Sequence, residues 1–248
     1  MKLSLAEPRL LVDSVNIISD IVNDVRFKVG PDHLELVAMD PANVAMVLFT
    51  ILSSAFTEYT VEKPIHLAVS LESLKAILRR VKPTDVLSIE LDEQKNRLRI
   101  TLKSDSTRRF HLALIDIDEK EQRVPDLDFP IKVEMNSVLL DEAIQDMDVV
   151  AESVALTVQQ DKLVVQAESN LNDARAEILE EGETKIKHAK SDVTSKYSIE
   201  YMKKIIKGGK LAPRVSLQFN KDYPLRVDYL VKDKLSLSMI LAPRVSND

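Results

Sequence analysis

Residues 11–49, LVDSVNIISDIVNDVRFKVGPDHLELVAMDPANVAMVLF, decide how this chain is read, because their apolar pattern returns 129 positions later. At that shift Leu11 meets Leu140, Val15 meets Ile144, Ile18 meets Met147 and Ile21 meets Val150. Val25 then meets Val154, Phe27 meets Leu156, Val29 meets Val158, Leu34 meets Leu163, and Leu36 meets Val165, all without a gap. A shift of 128 aligns Leu71, Leu74 and Leu78 with Ile199, Met202 and Ile206, and 127 aligns Leu98 and Ile100 with Leu225 and Val227. Two similar halves with slightly different loops account for this pattern, and a repeat of this kind organises everything else.

Each half reads in the same order. Leu11, Val12, Val15, Ile18, Val22 and Val25 recur at helical spacing. Period-two runs follow at Val25-Phe27-Val29 and Leu34-Leu36-Ala38, joined by the turn-rich Gly30-Pro31-Asp32-His33. Residues 44–52 are more continuously apolar, 71–81 predict a second helix stopped by Pro83, and alternating runs at 86–91, 97–102 and 110–115 predict strands. The expected fold is α+β: two similar domains of antiparallel sheet, each with two helices available to cover one face. Between them, 116–130 is rich in charge, carries Pro125 and Pro130, and has neither period, which describes a spanning connector. The expected division is 1–115, connector 116–130, and 131–248.

Composition narrows the function. The chain has 248 residues, 34 Lys+Arg against 40 Asp+Glu, a net charge of −6 and no cysteine. It is long enough for two cores, and it lacks thiolate sites, disulfides and any apolar run of the ~20 residues a membrane helix requires. MKLSLAEPRLL has no unbroken apolar segment of the signal-peptide kind, so a cytoplasmic, nucleoid-associated protein is expected. Overall acidity argues against DNA binding through bulk charge.

Locally the charge reverses. Lys75, Arg79, Arg80 and Lys82 stand against Glu72 alone, and Lys203, Lys204, Lys207 and Lys210 against Glu200 alone. Lys75, Arg79 and Lys82 coincide with Lys203, Lys207 and Lys210 at the shift of 128. A solvated face explains any one such helix, but solubility does not require register between two of them. Cations spaced i, i+4 and i+7 suit a row of phosphates bound without sequence preference. The first helix of each half is acidic instead, with Asp13, Asp20 and Asp24, then Asp141, Glu142, Asp146, Asp148 and Glu152. Acid on one half and base on the other suits a head-to-tail contact, in which Glu142 and Asp146 face Arg80, Lys82 or Arg108 of a neighbouring copy. Asp13 and Asp20 have no role in this scheme beyond solvent exposure.

Catalysis finds little support. His33, His66, His111 and His188 are scattered, no phosphate-binding glycine loop or nucleophile motif is present, and Gly208-Gly209 reads as a helix end. Asp116 and Asp118 sit in the connector, where solvation is the expected fate rather than magnesium. No enzyme activity, metal or cofactor is expected, and a metal nuclease lacks any ligand constellation.

Ala38-Met39-Asp40-Pro41-Ala42-Asn43-Val44-Ala45-Met46-Val47 resembles the loop-and-strand signature of the proliferating cell nuclear antigen family. Leu241-Ala242-Pro243-Arg244-Val245 resembles its C-terminal signature, and Leu114-Ile115-Asp116-Ile117-Asp118 is similar to the lead into its connector. Pro41-Ala42-Asn43 and the Leu-Ala-Pro-Arg ending resemble the archaeal branch, the DNA polymerase sliding clamps. The resemblance implies a homotrimeric ring around duplex DNA that tethers replicative polymerase, flap endonuclease, ligase and the clamp loader and does no chemistry itself. A clamp-fold adaptor in a mixed ring is the alternative. The resemblance further implies a partner-peptide groove of Met39, Asn43, Val44, Met46, Val124, Pro224, Ile240, Ala242 and Pro243. It implies subunit contact between edge strands at 108–115 and 174–180, which bring Phe110, Glu177 and Ile178 to the interface. Asn43 stands where eukaryotic members have histidine, and Gln122 where an apolar connector residue is common there.

Overall fold

Alternation becomes strand and the 3.6-residue period becomes helix, in the same order twice. The computed structural model describes residues 1–117, 122–187 and 192–244. β1 (Lys2–Leu5) precedes α1 (Arg9–Ile18), followed by β2 (Asp24–Val29), β3 (His33–Met39), β4 (Ala45–Leu52), β5 (Glu58–Thr60) and β6 (Ile65–Ser70). α2 (Leu71–Leu78), β7 (Val86–Asp92), β8 (Arg97–Lys103) and β9 (Thr107–Ala113) complete the first set. The second set is β10 (Ile131–Asn136), α3 (Ser137–Asp148), β11 (Ser153–Gln159), β12 (Lys162–Glu168), β13 (Asp173–Leu179), β14 (Lys185–Lys187) and β15 (Val193–Ser198). It ends with α4 (Ile199–Ile205), β16 (Arg214–Phe219), β17 (Leu225–Val231) and β18 (Leu235–Leu241). Connector residues 118–121 (Asp118 among them), His188 and Val245 lie outside the described residues.

Two compact units result. The first comprises Met1–Pro41, Val47–Val124 and Val231–Leu237; the second takes Ala42–Met46, Pro125–Leu230 and the chain from Ser238 onward. Strand order shows that the duplication is one of topology. In the first set the orders are β5-β1-β7-β8-β9 and β4-β3-β2-β6; in the second they are β14-β10-β16-β17-β18 and β13-β12-β11-β15. Among the registered pairs every ladder is antiparallel, for instance Val86↔Lys103 through Asp92↔Arg97. The hairpin joining β7 and β8 closes through a 3-10 turn at Glu93–Lys95, with Asn96 in the left-handed region at φ 46°.

α1 buries Leu11, Ser14, Val15, Ile17 and Ile18, and the Ser14 hydroxyl is satisfied by donating to the Leu10 carbonyl at 2.7 Å. Each fully buried aliphatic side chain contributes about 1.5–3 kcal/mol, so that stripe rather than intrinsic propensity holds the helix. The helix ends seven residues before the apolar period does. After Ile18 the N–H groups of Asp20 and Ile21 reach back three residues instead of four, and the Ser19 hydroxyl donates to the Asn16 carbonyl. Ile21 and Val22 remain buried in the turn, which is why the period runs on past the helix. The expected second helix also stops early, at Leu78, where Arg80 and Val81 make the same tightened bonds. β1 and its repeat β10 escaped the sequence reading, since four to six residues carry little period. Among the described residues no helix is long and apolar enough to cross a membrane.

Candidate nucleic-acid interface and binding surfaces

α2 buries Leu71, Leu74 and Leu78, which leaves Arg79 and Arg80 exposed at its end and Lys82 exposed just beyond. α4 buries Ile199, Met202 and Ile205 and continues as a 3-10 turn, Ile206–Lys210, along which Lys203, Lys207 and Lys210 are exposed. Both combs therefore exist as exposed flanks beside a buried stripe. They are not wholly available. Lys75 Nζ lies 3.1 Å from Asp20 Oδ1, reaching from α2 to the residue after the α1 cap. Lys203 Nζ lies 2.6 Å from Asp148 Oδ2, the last residue of α3. Lys204 is held by Glu200 at 2.9 Å and sits 4.8 Å over the Tyr201 ring. Arg79, Arg80, Lys82 and Lys210 have no ion pair among the described residues.

The edge strands carry opposite chemistry. β9 ends one sheet and presents Arg108, Arg109 and His111; β13 ends another and presents Asp173, Arg175 and Glu177. Lys162 at 2.9 Å, then Arg175 at 2.7 Å, hold the Glu177 carboxyl below the usual range. Ile178 is buried and points inward, while Phe110 is half-buried. Arg108 already has partners within its own unit. Its guanidinium donates to the fully buried carboxylate of Asp85 and, at 2.8 Å, to the Arg80 carbonyl. Asp85 also accepts from the Lys82 backbone N–H at 2.6 Å. Burial opposes charge on Asp85, yet these donors and the Ser104 hydroxyl together hold its pKa below the ordinary value. Arg108 is thus spent inside its own unit, locking the basic end of α2 to β9. Glu142 and Asp146, one turn apart on α3, are exposed and without an ion pair among the described residues.

The expected groove residues are partly gathered. Within the second unit the Ala242 N–H donates to the Val44 carbonyl at 2.9 Å, placing the tail beside the 42–46 loop. Asn43 is exposed with φ 57°, a left-handed position that Asn tolerates better than a branched residue does. Val44, Pro224, Ala242 and Pro243 are half-buried, whereas Met46 and Ile240 are buried and act as packing. Phe129 stacks edge-on against Tyr223 with centroids 5.9 Å apart. Met39 and Val124 belong to the first unit, Met39 half-buried at the end of β3 and Val124 exposed. Gln122 lines a polar cleft there with Arg26, Lys28, Glu35 and His66, so its amide has polar company.

The N-terminal domain model of proliferating cell nuclear antigen matches residues 1–122, and the C-terminal domain model of the same family matches 123–244. The chain belongs to the proliferating cell nuclear antigen family. The DNA polymerase sliding clamp of Nanoarchaeum equitans is 32% identical over 248 residues, covering 98% of this chain and 99% of that one. That of Thermococcus gammatolerans is 31% identical over 234 residues, 94% of each chain. The crystal structure of the antigen from Thermococcus kodakaraensis superposes with TM-score 0.91 at 24% identity over 98% of this chain and 99% of that chain, a likeness of fold.

In this member of the family the three described histidines are peripheral. His33 lies 3.3 Å from Glu35, His66 and His111 are exposed, and no His/Asp/Glu cluster suited to a metal occurs among the described residues. Sequence reasoning missed the partners of Asp20, Asp148 and Asp85, since each contact joins residues distant in the chain or buries a carboxylate inside an outwardly polar loop. The one available signal was register: Lys75 and Lys203 repeat, and each lies 55 positions after its aspartate.

Proposed function

We propose that this chain is a DNA polymerase sliding clamp: three copies, each of two clamp domains (1–115 and 131–248) joined by 116–130, close into a ring on duplex DNA. The observation that carries the ring is a mismatch in strand pairing. β18 and β4 are neighbours in strand order, with the Leu52 N–H donating to Lys234 O at 2.8 Å inside the first unit. Their repeat equivalents, β9 and β13, each lack a neighbour on one side among the described residues. An open edge seeks a strand, and β9 of one copy against β13 of the next repeats the β18–β4 joint between molecules. Exposed Glu142 and Asp146 meet Arg80 and Lys82 across that joint.

The basic flanks of α2 and α4 then serve as the sliding surface. A closed ring is retained by topology, so weak, salt-sensitive phosphate contacts suffice. An acidic exterior beyond a Debye length of ~8 Å costs little. The Val44–Ala242 region, with Met39 and Val124, receives short peptides of polymerase, flap endonuclease, ligase and clamp loader, and the clamp itself catalyses nothing. Native mass measurement tests the ring: a mass of three chains supports it, and a monomer at micromolar concentration refutes it. Polymerase extension on primed circular DNA tests the surface, with stimulation expected to vanish when Lys75, Arg79, Lys203 and Lys207 become Glu.

A further inference from the structure

We propose that Asp20 and Asp148 are built-in counter-charges that compete with DNA phosphates for the first cation of each comb, lowering duplex affinity and smoothing the slide. The inference rests on the reading of the basic helices as the duplex-facing surface. Three observations lead to it. Lys75 meets Asp20 at 3.1 Å and Lys203 meets Asp148 at 2.6 Å, so the same clasp is built in both units. Both carboxylates sit at the C-terminal end of a helix, where the backbone dipole disfavours negative charge. Neither α1, which Asp20 follows, nor α3, which Asp148 closes, has a cation in its last turn. A brace meant only for stability has better places for its acid.

The chemistry follows from exchange. An ammonium held by a carboxylate adds no net charge to the surface, and a phosphate oxygen is a carboxylate-like acceptor. When a phosphate passes, the lysine trades one oxygen partner for another, so contact is gained and lost with little change in free energy. Arg79, Lys82 and Lys210, lacking such partners among the described residues, supply the standing attraction. The Lys75–Asp20 side chains are 19% and 27% exposed against 49% and 39% for Lys203–Asp148, so the first clasp is less screened and withholds its lysine more firmly.

The test breaks the same ion pair from both sides in the assembled protein and reads binding to a short fluorescent duplex against KCl concentration. Asp20→Asn with Asp148→Asn is expected to tighten binding several-fold near 100 mM salt. It should steepen the log–log salt slope by about 0.9 per newly engaged phosphate. Lys75→Gln with Lys203→Gln is expected to move both quantities the opposite way. Asp20→Asn alone should exceed Asp148→Asn alone. The matched control, Asp13→Asn with Asp141→Asn, removes equal charge from residues paired with Arg9 and Gln145 and should change binding far less. Circular dichroism melting verifies folding for each variant. If both clasp variants weaken binding alike, the pairs are braces and the proposal is overturned; equal gains in clasp and control variants overturn it as a bulk-charge effect. If the Lys→Gln pair leaves binding unchanged, the duplex-facing reading itself fails, a result distinguishable from the other two.

Discussion

The two units differ where α2 and α4 end. Arg80 closes the first helix as an exposed cation; at the shift of 128 its counterpart is Gly208, buried in a 3-10 turn. A Cβ on Gly208 would lie 2.2 Å from Cε2 of Tyr229. At the shift of 127 Tyr229 itself replaces Leu102, fully buried in β8. The second unit has therefore exchanged an arginine and a leucine for a glycine and a tyrosine. The second comb has no cation at this position, where the Tyr229 ring fills the space beside Gly208, and carries its fourth at Lys204, the equivalent of Ala76. Close packing ties facing positions together in volume, so the larger ring in the second unit requires the smallest residue opposite it, and the cation sits elsewhere on the helix.

The largest expected effect breaks the difference in charge between the units. Glu142→Lys with Asp146→Lys is expected to convert the ring to monomer in sedimentation velocity, since like charges then face each other. Arg80→Glu with Lys82→Glu in the same chain should restore the trimer. Adding Arg108→Glu should not help, because that residue is committed to Asp85.

Asp85→Ala comes next, at roughly 3 kcal/mol in urea unfolding, because it strands the Arg108 guanidinium against a buried site. The carboxylate pKa is depressed, so the folded state binds fewer protons than the unfolded one just below the ordinary 3.8. The stability advantage over Asp85→Asn is then complete above about pH 5 and shrinks as pH falls through the depressed value. An advantage constant down to pH 2 would show that charge is not its source.

These sites also mark what could be read without coordinates. The repeat was legible because Leu11, Val15, Ile18 and their counterparts must stay apolar to be buried. The basic combs were legible because charge in register survives as a pattern. Charge complementarity alone offers Arg108 as a partner for Glu142 and Asp146, and nothing in Lys82-Pro83-Thr84-Asp85 reveals that Asp85 is fully buried. Asp20 looked idle because its lysine lies 55 residues away. The overrun of the first helix had a different cause: Ile21 and Val22 are buried in a turn, so burial and helix parted company. Pairing between distant residues is set by tertiary closure, which leaves no period to detect.

A smaller effect sharpens the comparison at Gly208. Gly208→Ala is expected to cost about 2 kcal/mol by driving the Tyr229 ring off its site. Tyr229→Leu in the same chain, restoring the first unit's leucine, should recover most of that loss. Tyr229→Phe alone should be close to neutral, because the buried hydroxyl has no hydrogen-bond partner among the described residues.

The smallest expected effect separates helix starts. Asn136 caps α3 by accepting from the Val138 N–H at 2.9 Å, Ser70 accepts from the Ser73 N–H at a long 3.5 Å, and Ser198 makes no side-chain cap bond to α4. A good cap contributes about 1 kcal/mol and a stretched one less. Thermal unfolding should therefore rank Asn136→Ala as the costliest, at about 1 kcal/mol, then Ser70→Ala at about half that, and Ser198→Ala within a few tenths of neutral. If Ser198→Ala cost as much as Asn136→Ala, the hydroxyl would have to stabilise α4 by some route other than capping.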